Sequence, residues 1–264
     1  MPRVTTRITD HIAHVTLTRP DKRNAVDPEM AEAIVAAGHA LSDTDIRAVV
    51  LSGEGHSFCA GLDVMSFAAL ARGDPEALIL PRSHGNTNLF QEVAMVWRRL
   101  PVPVIAALHG AVYGAGFQLA LGADIRIAAP DAQLAIMEMK WGLIPDMGGM
   151  ALLPHLTRSD VIRRLIYTAR PIPAAQAEAW GLVTEIADSP VTAAQDLAQE
   201  IATRSPSAIR AAKRLIAVAE SGAGEDAVLM AESRAQAALI GQPDQLEQIA
   251  ANMTGRAPVF GNGG

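Results

Sequence analysis

Two glycine-containing segments carry residues whose types and spacing could do chemistry. They are residues 55–63 and 110–118, and each follows a predicted buried strand and places small residues where a helix should begin. Small residues let a ligand approach the backbone, and the first turn of a helix presents unpaired N–H groups. Two such turns facing one cavity would supply both donors of an oxyanion hole. The alternative is that the glycines only permit tight packing of a strand against a helix.

Other motifs are absent or incomplete. Residues 114–116 read Gly-Ala-Gly, but position 119 is leucine, so the third glycine of a dinucleotide-binding fingerprint is missing. His11 and His14 lie on a predicted strand with no acidic ligand nearby, which argues against a metal site. Cys59 is the only cysteine, so no intrachain disulfide or cysteine metal cluster can form. Its apolar neighbours indicate a core position.

The elements that must position these turns alternate between strand and helix. Residues 4–8 and 12–18 predict a hairpin, and Asp27 is the predicted N-cap of a helix that starts with proline. The apolar run at residues 48–53 is typical of a buried parallel strand. This alternation predicts an α/β chain with parallel strand pairing.

The chain changes character near residue 192, after which only helical periodicity remains. We therefore predict a core over residues 1–191 and a C-terminal helical section over residues 192–264. Glycine and proline in residues 69–85 predict a long surface loop or a partly ordered lid.

Composition limits the classes of partner. The chain has 264 residues, of which half are hydrophobic, and 22 basic against 28 acidic residues give a net charge of −6. This balance provides no general attraction to nucleic acids or anionic membranes. Residues 100–123 carry no formal charge, but two prolines and four glycines divide them into a strand, a turn and a short helix. With one cysteine and no recognisable targeting segment, we expect a cytoplasmic protein that does not span a membrane.

Four motifs spread along the chain form one pattern. They are Ser-Phe-Cys-Ala-Gly-Leu-Asp at 57–63, Gly-Ala-Gly at 114–116, Ala-Asp-Ile-Arg-Ile-Ala at 123–128 and Gly-Leu-Ile-Pro-Asp-Met-Gly-Gly at 142–149. This set resembles the crotonase (enoyl-CoA hydratase/isomerase) superfamily. The resemblance implies a spiral of ββα units followed by C-terminal helices, assembled as a homotrimer or a dimer of trimers. It also implies an acyl-CoA thioester as substrate, as in fatty acid metabolism, with no cofactor beyond the CoA of the substrate.

The resemblance further implies which backbone groups bind the thioester. It assigns the two N–H donors of the oxyanion hole to Leu62 and Ala115, where the type of side chain is unimportant. It also implies that CoA lies along a set of backbone positions, namely Ala25, Ala60, Gly61, Leu62, Asp63 and Gly114.

The proton-transfer positions depart from the hydratases of this superfamily. Those enzymes carry two glutamates, and here the first position is Gln118 whereas the second is Glu138. An amide cannot act as a general base at neutral pH, but it can hold a water molecule or a ligand by hydrogen bonds, so Gln118 is predicted to be a secondary polar residue of the site. One carboxylate is enough to move a proton between carbons, so the resemblance favours enoyl-CoA double-bond isomerisation with Glu138 as general acid and base. The alternative for Glu138 is a surface ion pair with Lys140 or Arg126.

Asp146, eight residues after Glu138, has several possible roles. Dienoyl-CoA isomerases of the superfamily carry a Glu and an Asp at this spacing as a proton-transfer pair, and the same two residues could support hydration. The superfamily's 4-chlorobenzoyl-CoA dehalogenase has a nucleophilic Asp here, but Glu138 departs from the aromatic residue of that enzyme. Asp146 could instead cap a helix beginning near Met147. A CoA-ester-binding protein without catalysis is a further alternative, because one of the two carboxylates is missing.

Overall fold

Two β-sheets organise the chain. The computed structural model describes residues 2–63, 65 and 73–261. Within them the larger sheet has the order β1-β2-β3-β4-β6-β9, and the smaller sheet has the order β5-β7-β8. The strands of the described residues are β1 (Val4–Thr9), β2 (Ile12–Leu17), β3 (Ala48–Gly53), β4 (Val104–Leu108), β5 (Ala111–Tyr113), β6 (Ile125–Ala128), β7 (Gln133–Ala135), β8 (Ile172–Pro173) and β9 (Glu185–Ile186).

Helices follow most of the strands, so the predicted α/β class is confirmed. Those within the described part of the chain are α1 (Pro28–Leu41), α2 (Pro75–Ile79), α3 (Leu89–Arg99), α4 (Ala115–Leu121), α5 (Gly149–Leu152), α6 (Ser159–Thr168), α7 (Ala174–Ala179), α8 (Pro190–Ala202), α9 (Pro206–Glu220), α10 (Glu225–Leu239) and α11 (Pro243–Thr254). Short 3-10 turns lie at Pro20–Lys22, Glu138–Trp141 and Leu153–His155.

Local sequence signals account for the first elements. β1 and β2 form the predicted antiparallel hairpin, and Asp10 and His11 in its turn have positive φ angles. The Asp27 side chain accepts a hydrogen bond from Met30 N and so caps α1 as predicted. β3 pairs parallel to both β2 and β4, and its side chains are almost all buried. The apolar run at residues 48–53 is therefore a central strand of a parallel sheet.

Helices cover both faces of the larger sheet. α1 and α3 pack on one face within the main apolar core, which includes Met30, Ile34 and Trp97. On the other face Ala194 and Ala198 of α8 pack against the strands. The first helix of the predicted C-terminal section thus rests on the core, while the boundary at residue 192 stays a prediction.

The segment predicted as a loop or lid is only partly described. Residues 69–72 of that prediction lie outside the described residues. From residue 73 onward a continuous loop is the wrong description, because Asp74 accepts hydrogen bonds from Glu76 N and Ala77 N and caps α2. No helix in the described part of the chain is long and apolar enough to cross a lipid bilayer.

Candidate active site

The two glycine-containing turns lie side by side, as the sequence suggested they could. Phe58 N donates to His109 O at 2.9 Å, and Cys59 N donates to Ala111 O at 3.1 Å. Tyr113 N donates back to Cys59 O at 3.0 Å. Through these bonds Cys59 of the first turn pairs with Val112 of β5 in an isolated parallel bridge. The backbones of the two turns are therefore fixed relative to each other.

Close backbone approach explains two of the glycines. A Cβ on Gly116 would lie 2.4 Å from Cys59 O, which is closer than any real contact. Gly61 has a φ of +104°, and a Cβ there would lie 3.0 Å from Tyr113 O. The glycines do permit tight packing, as the alternative interpretation held. That packing is also what brings the backbones of the two turns together.

The two amides expected to bind an oxyanion are available. Leu62 and Ala115 both line the same cavity. Among the described residues, neither amide donates a hydrogen bond to a backbone or side-chain acceptor. Ala115 is the first residue of α4, where the helix itself offers no acceptor for an N–H group.

The cavity has a volume of about 210 Å³ and brings together most of the predicted site. Its described lining consists of Ala60, Gly61, Leu62, Gly114, Ala115, Met137, Glu138, Trp141, Leu143, Ile144, Asp146 and Met147. Ala25 and Asp63 are not part of this lining. Gln118 lies behind it, in contact with Glu138.

Asp63 has a structural partner on the neighbouring loop. Its carboxylate pairs with the Arg19 guanidinium at 2.8 Å, and its other oxygen accepts a hydrogen bond from Met65 N. Arg19 also donates to Ala25 O. The side chain of Asp63 therefore ties residues 19–25 to the first turn. The predicted contact of Asp63 with CoA involves its backbone and not this side chain.

Asn24 is a buried anchor of this region that the sequence analysis missed. It is 0% exposed and its side-chain amide donates to Glu54 O and Ser57 O, both at 2.9 Å. Its amide oxygen accepts from Arg19 N at 2.9 Å. Every polar group of this amide is satisfied, so Asn24 fixes the start of the first turn.

Glu138 is the half-buried acid of the cavity. It begins the 3-10 turn that follows β7, and its Oε1 accepts a hydrogen bond from Gln118 Nε2 at 2.6 Å. Its Oε2 is buried with no hydrogen-bond partner among the described residues. Burial raises the pKa of Glu138, and the charge of Asp146 adds to this, while nearby backbone N–H groups and the Gln118 hydrogen bond oppose it.

The alternative role for Glu138, an ion pair with Lys140 or Arg126, is wrong. Neither cation is among its partners in the described chain. The Arg126 guanidinium is buried and donates to Leu182 O and Ala123 O, while Lys140 lies over the Trp141 ring.

Gln118 is held on both sides of its amide. Its Oε1 accepts hydrogen bonds from Met147 N at 2.8 Å and from Gly149 N at 3.1 Å, and its Nε2 donates to Glu138. It is 1% exposed. The amide oxygen is therefore occupied by protein groups and leaves little capacity to hold a water molecule.

Asp146 lines the cavity, but it does not cap a helix. The following helix, α5, begins at Gly149 rather than near Met147, and its N-cap is Gly148 with no side-chain hydrogen bond. Gly148 has a φ of +90°, which turns the chain between Asp146 and the helix. Asp146 as a whole is exposed, but partial burial of its carboxyl group raises its pKa.

The apolar part of the lining was not anticipated from the sequence. It is formed by Met137, Trp141, Leu143, Ile144 and Met147, which surround Glu138 along the chain. The signal was the density of large apolar residues in a segment with no helix or strand period. These side chains make much of the cavity lining apolar.

A larger cavity of about 360 Å³ lies beside α9, but it has the character of a packing groove. Its charged lining residues pair with one another: Lys213 with Asp124 at 2.7 Å, and Arg98 with Glu220. The smaller cavity alone combines the two available amides with Glu138.

Two other candidate groups are not part of the site. Cys59 is fully buried, and burial raises its pKa to about 12, so it is a core residue as predicted. Over the part of the chain that the structure describes, no cluster of three or more potential metal ligands occurs.

Comparisons with known proteins identify the family of this chain. The family model for enoyl-CoA hydratase/isomerase matches residues 7–262. The human mitochondrial Delta(3,5)-Delta(2,4)-dienoyl-CoA isomerase is 37% identical over 211 residues, which are 77% of this chain and 64% of that enzyme. A probable enoyl-CoA hydratase of Mycobacterium tuberculosis is 39% identical over 189 residues, 71% of each protein. A carnitinyl-CoA dehydratase of Salmonella agona is 35% identical over 213 residues, 77% of this chain and 76% of that enzyme.

Solved structures show the same fold. A putative enoyl-CoA hydratase from Streptomyces coelicolor superimposes with a TM-score of 0.89 at 34% identity, covering 99% of this chain and 94% of that one. A putative enoyl-CoA hydratase/isomerase from Mycobacterium abscessus gives a TM-score of 0.88 at 32% identity, covering 98% and 99%. The predicted crotonase fold with its C-terminal helices is confirmed. The chain belongs to the enoyl-CoA hydratase/isomerase family.

Proposed function

We propose that this protein is an enzyme that moves a carbon–carbon double bond within an enoyl-CoA thioester, with Glu138 as the acid and base. The observation that carries the proposal is the half-buried carboxyl group of Glu138, whose Oε2 is buried without a hydrogen-bond partner among the described residues, in the cavity that also holds the Leu62 and Ala115 amides. A protein that only bound the CoA ester would gain nothing from a buried carboxyl group there.

The reaction follows from these groups. Glu138 takes a proton from the carbon between the thioester carbonyl and the double bond. The released electron pair spreads to the carbonyl oxygen, where the N–H groups of Leu62 and Ala115 stabilise the negative charge. Each such donor is worth about 3–4 kcal/mol in the transition state. Return of the proton at the far end of the double bond completes the isomerisation.

Asp146 is the proposed second proton carrier. It lines the same cavity as Glu138, and its charge adds to the raised pKa of Glu138 that burial mainly causes. A pair of carboxyl groups can take a proton at one carbon and deliver another at a carbon further along the chain. This supports conjugated dienes as substrates, and the similarity to the human dienoyl-CoA isomerase supports it too.

Hydration by Glu138 and Asp146 is the second candidate. It is favoured by Asp146, which could hold or activate a water molecule, and by relatives that are named hydratase and dehydratase. Against it stands Gln118, whose amide oxygen already accepts two backbone hydrogen bonds and is poorly placed to orient water.

The remaining assignments complete the proposal. CoA lies along the backbone near Ala60, Gly61, Asp63 and Gly114, with Ala25 at the edge of this path, and no further cofactor takes part. The exposed apolar residues of α10 and α11, such as Leu229, Met230 and Ile249, support contact with further copies of this chain in a homotrimer or a dimer of trimers. We place the protein in the cytoplasm.

A parallel assay on one protein sample tests the proposed reaction. A 3-enoyl-CoA, a 3,5-dienoyl-CoA and crotonyl-CoA are offered separately, and product formation is followed by chromatography. We expect the two isomerisations to exceed hydration by about tenfold or more. Faster hydration would favour the second candidate, and binding of all three esters without turnover would leave only a CoA-ester-binding role.

A further inference from the structure

The side-chain amide of Gln118 makes three hydrogen bonds, and only one of them goes to the proposed base. We propose that Gln118 is a positioning residue, which fixes the oxygen of Glu138 that carries the proton and ties Glu138 to the segment bearing Asp146. This inference rests on the proposed function for its catalytic meaning, although its geometric part does not.

The amide can take only one orientation. Met147 N and Gly149 N are backbone donors, so the atom that meets them at 2.8 and 3.1 Å must be the amide oxygen. The NH₂ group is then forced to the opposite side, where it meets Glu138 Oε1 at 2.6 Å. A flipped amide would place NH₂ against two N–H groups and lose both backbone bonds, and its oxygen would face the oxygen of the Glu138 carboxylate.

This orientation separates the two oxygens of Glu138. The lone pair of Oε1 that accepts the Gln118 hydrogen bond cannot also hold a proton. Oε2 is buried and has no partner among the described residues. Oε2, which faces no such donor, is therefore the favoured site for the proton that Glu138 takes up.

The same amide connects the base to the second carboxyl group. Asp146 directly precedes Met147, whose N–H group is bound by Gln118. A Cβ on Gly149 would lie 2.9 Å from Gln118 Oε1, so glycine is needed there for the amide to approach the backbone. Gln118 thus sets the position of Glu138 relative to residues 146–149.

Few charged side chains act on the pKa of Glu138. Asp146 is the charged side chain that acts on Glu138 within the described residues, and Lys140 on the same turn is directed to the Trp141 ring. Removing the Gln118 donor withdraws a hydrogen bond that stabilises the charged form of Glu138. The pKa of Glu138 should then rise.

The test is a titration of the free protein. Glutamate labelled with ¹³C at the side-chain carboxyl is incorporated, and the Glu138 signal is identified by its loss in Glu138→Gln. In Gln118→Met, which keeps the length of the side chain, we expect Glu138 to titrate at higher pH than in the wild type. Gln195→Met, an exposed glutamine on α8, is the matched control and should leave it unchanged. A folded Gln118→Met protein with wild-type titration of Glu138 would overturn the proposal.

A second variant tests the proposal if Gln118→Met does not fold. Gln118→Glu keeps an acceptor for Met147 N and Gly149 N, so these buried amides stay bound if Gln118→Met does not fold. Here too Glu138 should keep its proton to higher pH, and an unchanged titration would again overturn the proposal.

Kinetics separate positioning from general damage. On the acid side of the pH profile, kcat of Gln118→Met should fall by about tenfold, as expected for loss of a hydrogen bond to a charged group, with KM nearly unchanged. An equal loss at every pH would indicate structural damage instead and contradict the positioning role. If the wild type turns over no enoyl-CoA, the proposed function fails, while the titration still decides the role of Gln118.

Discussion

A carboxylate at position 118 would change the site from one acid to two, and the structure predicts the consequence. In Gln118→Glu, one new oxygen takes the place of Oε1 and still accepts from Met147 N and Gly149 N. The other takes the place of Nε2, 2.6 Å from Glu138 Oε1. A favourable hydrogen bond becomes a contact between two groups of like charge.

The size of this effect follows from Coulomb's law. Two carboxylates with charge centres about 4 Å apart repel by about 4 kcal/mol at an effective dielectric constant of about 20. This repulsion corresponds to about three factors of ten in a protonation equilibrium, so the pair keeps one proton at neutral pH. Because two N–H donors stabilise a charge at position 118, the shared proton rests mainly on Glu138. We expect isomerisation at neutral pH to fall by about tenfold or more, since the base is then protonated.

Hydration should change in the opposite direction. A protonated Glu138 beside a charged group at position 118 forms an acid and a base at one small site, as water addition requires. Crotonyl-CoA hydration, followed by loss of absorbance of the conjugated thioester, should therefore rise above the wild-type rate. The matched control is Gln118→Glu combined with Glu138→Gln, which restores a single carboxylate and should remove the gain. Wild-type isomerisation at neutral pH together with no gain in hydration would refute this reasoning.

Three further predictions concern other parts of the site. Ala115→Pro removes one amide donor at the first position of a helix, where proline is tolerated, so a protein folded by circular dichroism should lose a factor of about 10² or more in turnover. In the wild type, kcat/KM should fall as the pH drops through the raised pKa of Glu138, because the base must be deprotonated. Asp146→Asn removes a charge that raises this pKa, so the acid limb of the kcat/KM profile should move to lower pH. Asn24→Ala leaves buried groups unpaired and should lower the free energy of unfolding in urea by about 2–4 kcal/mol.

The sequence predicted the elements that are encoded locally. The hairpin, the Asp27 cap and the buried strand at residues 48–53 depend on neighbouring residues, and all three are confirmed. The two turns could be identified because their glycines and following apolar residues are contiguous. Their approach to each other could only be suggested, since it depends on β5 lying beside the first turn.

Contacts between distant parts of the chain were not predicted. Gln118 was identified as a polar residue of the site in place of a carboxylate, but its partners Met147 and Gly149, which lie 29 and 31 residues later in the chain, were not. The cap predicted for Asp146 was wrong because Gly148, with its positive φ, delays the start of α5. Gly149 was a usable signal, because a glycine at the start of a helix often marks a close approach by another group.

The central claim is that Glu138 carries the proton, and Glu138→Gln tests it most directly. The substituted amide keeps the volume of the side chain and can still accept the Gln118 hydrogen bond through its oxygen, so the fold should be retained. The measurement is kcat for an enoyl-CoA isomerisation, with the dissociation constant of the CoA ester determined on the same samples. We predict that kcat falls by a factor of about 10² to 10⁴ while ester binding changes little. Wild-type turnover by the folded variant would contradict the account.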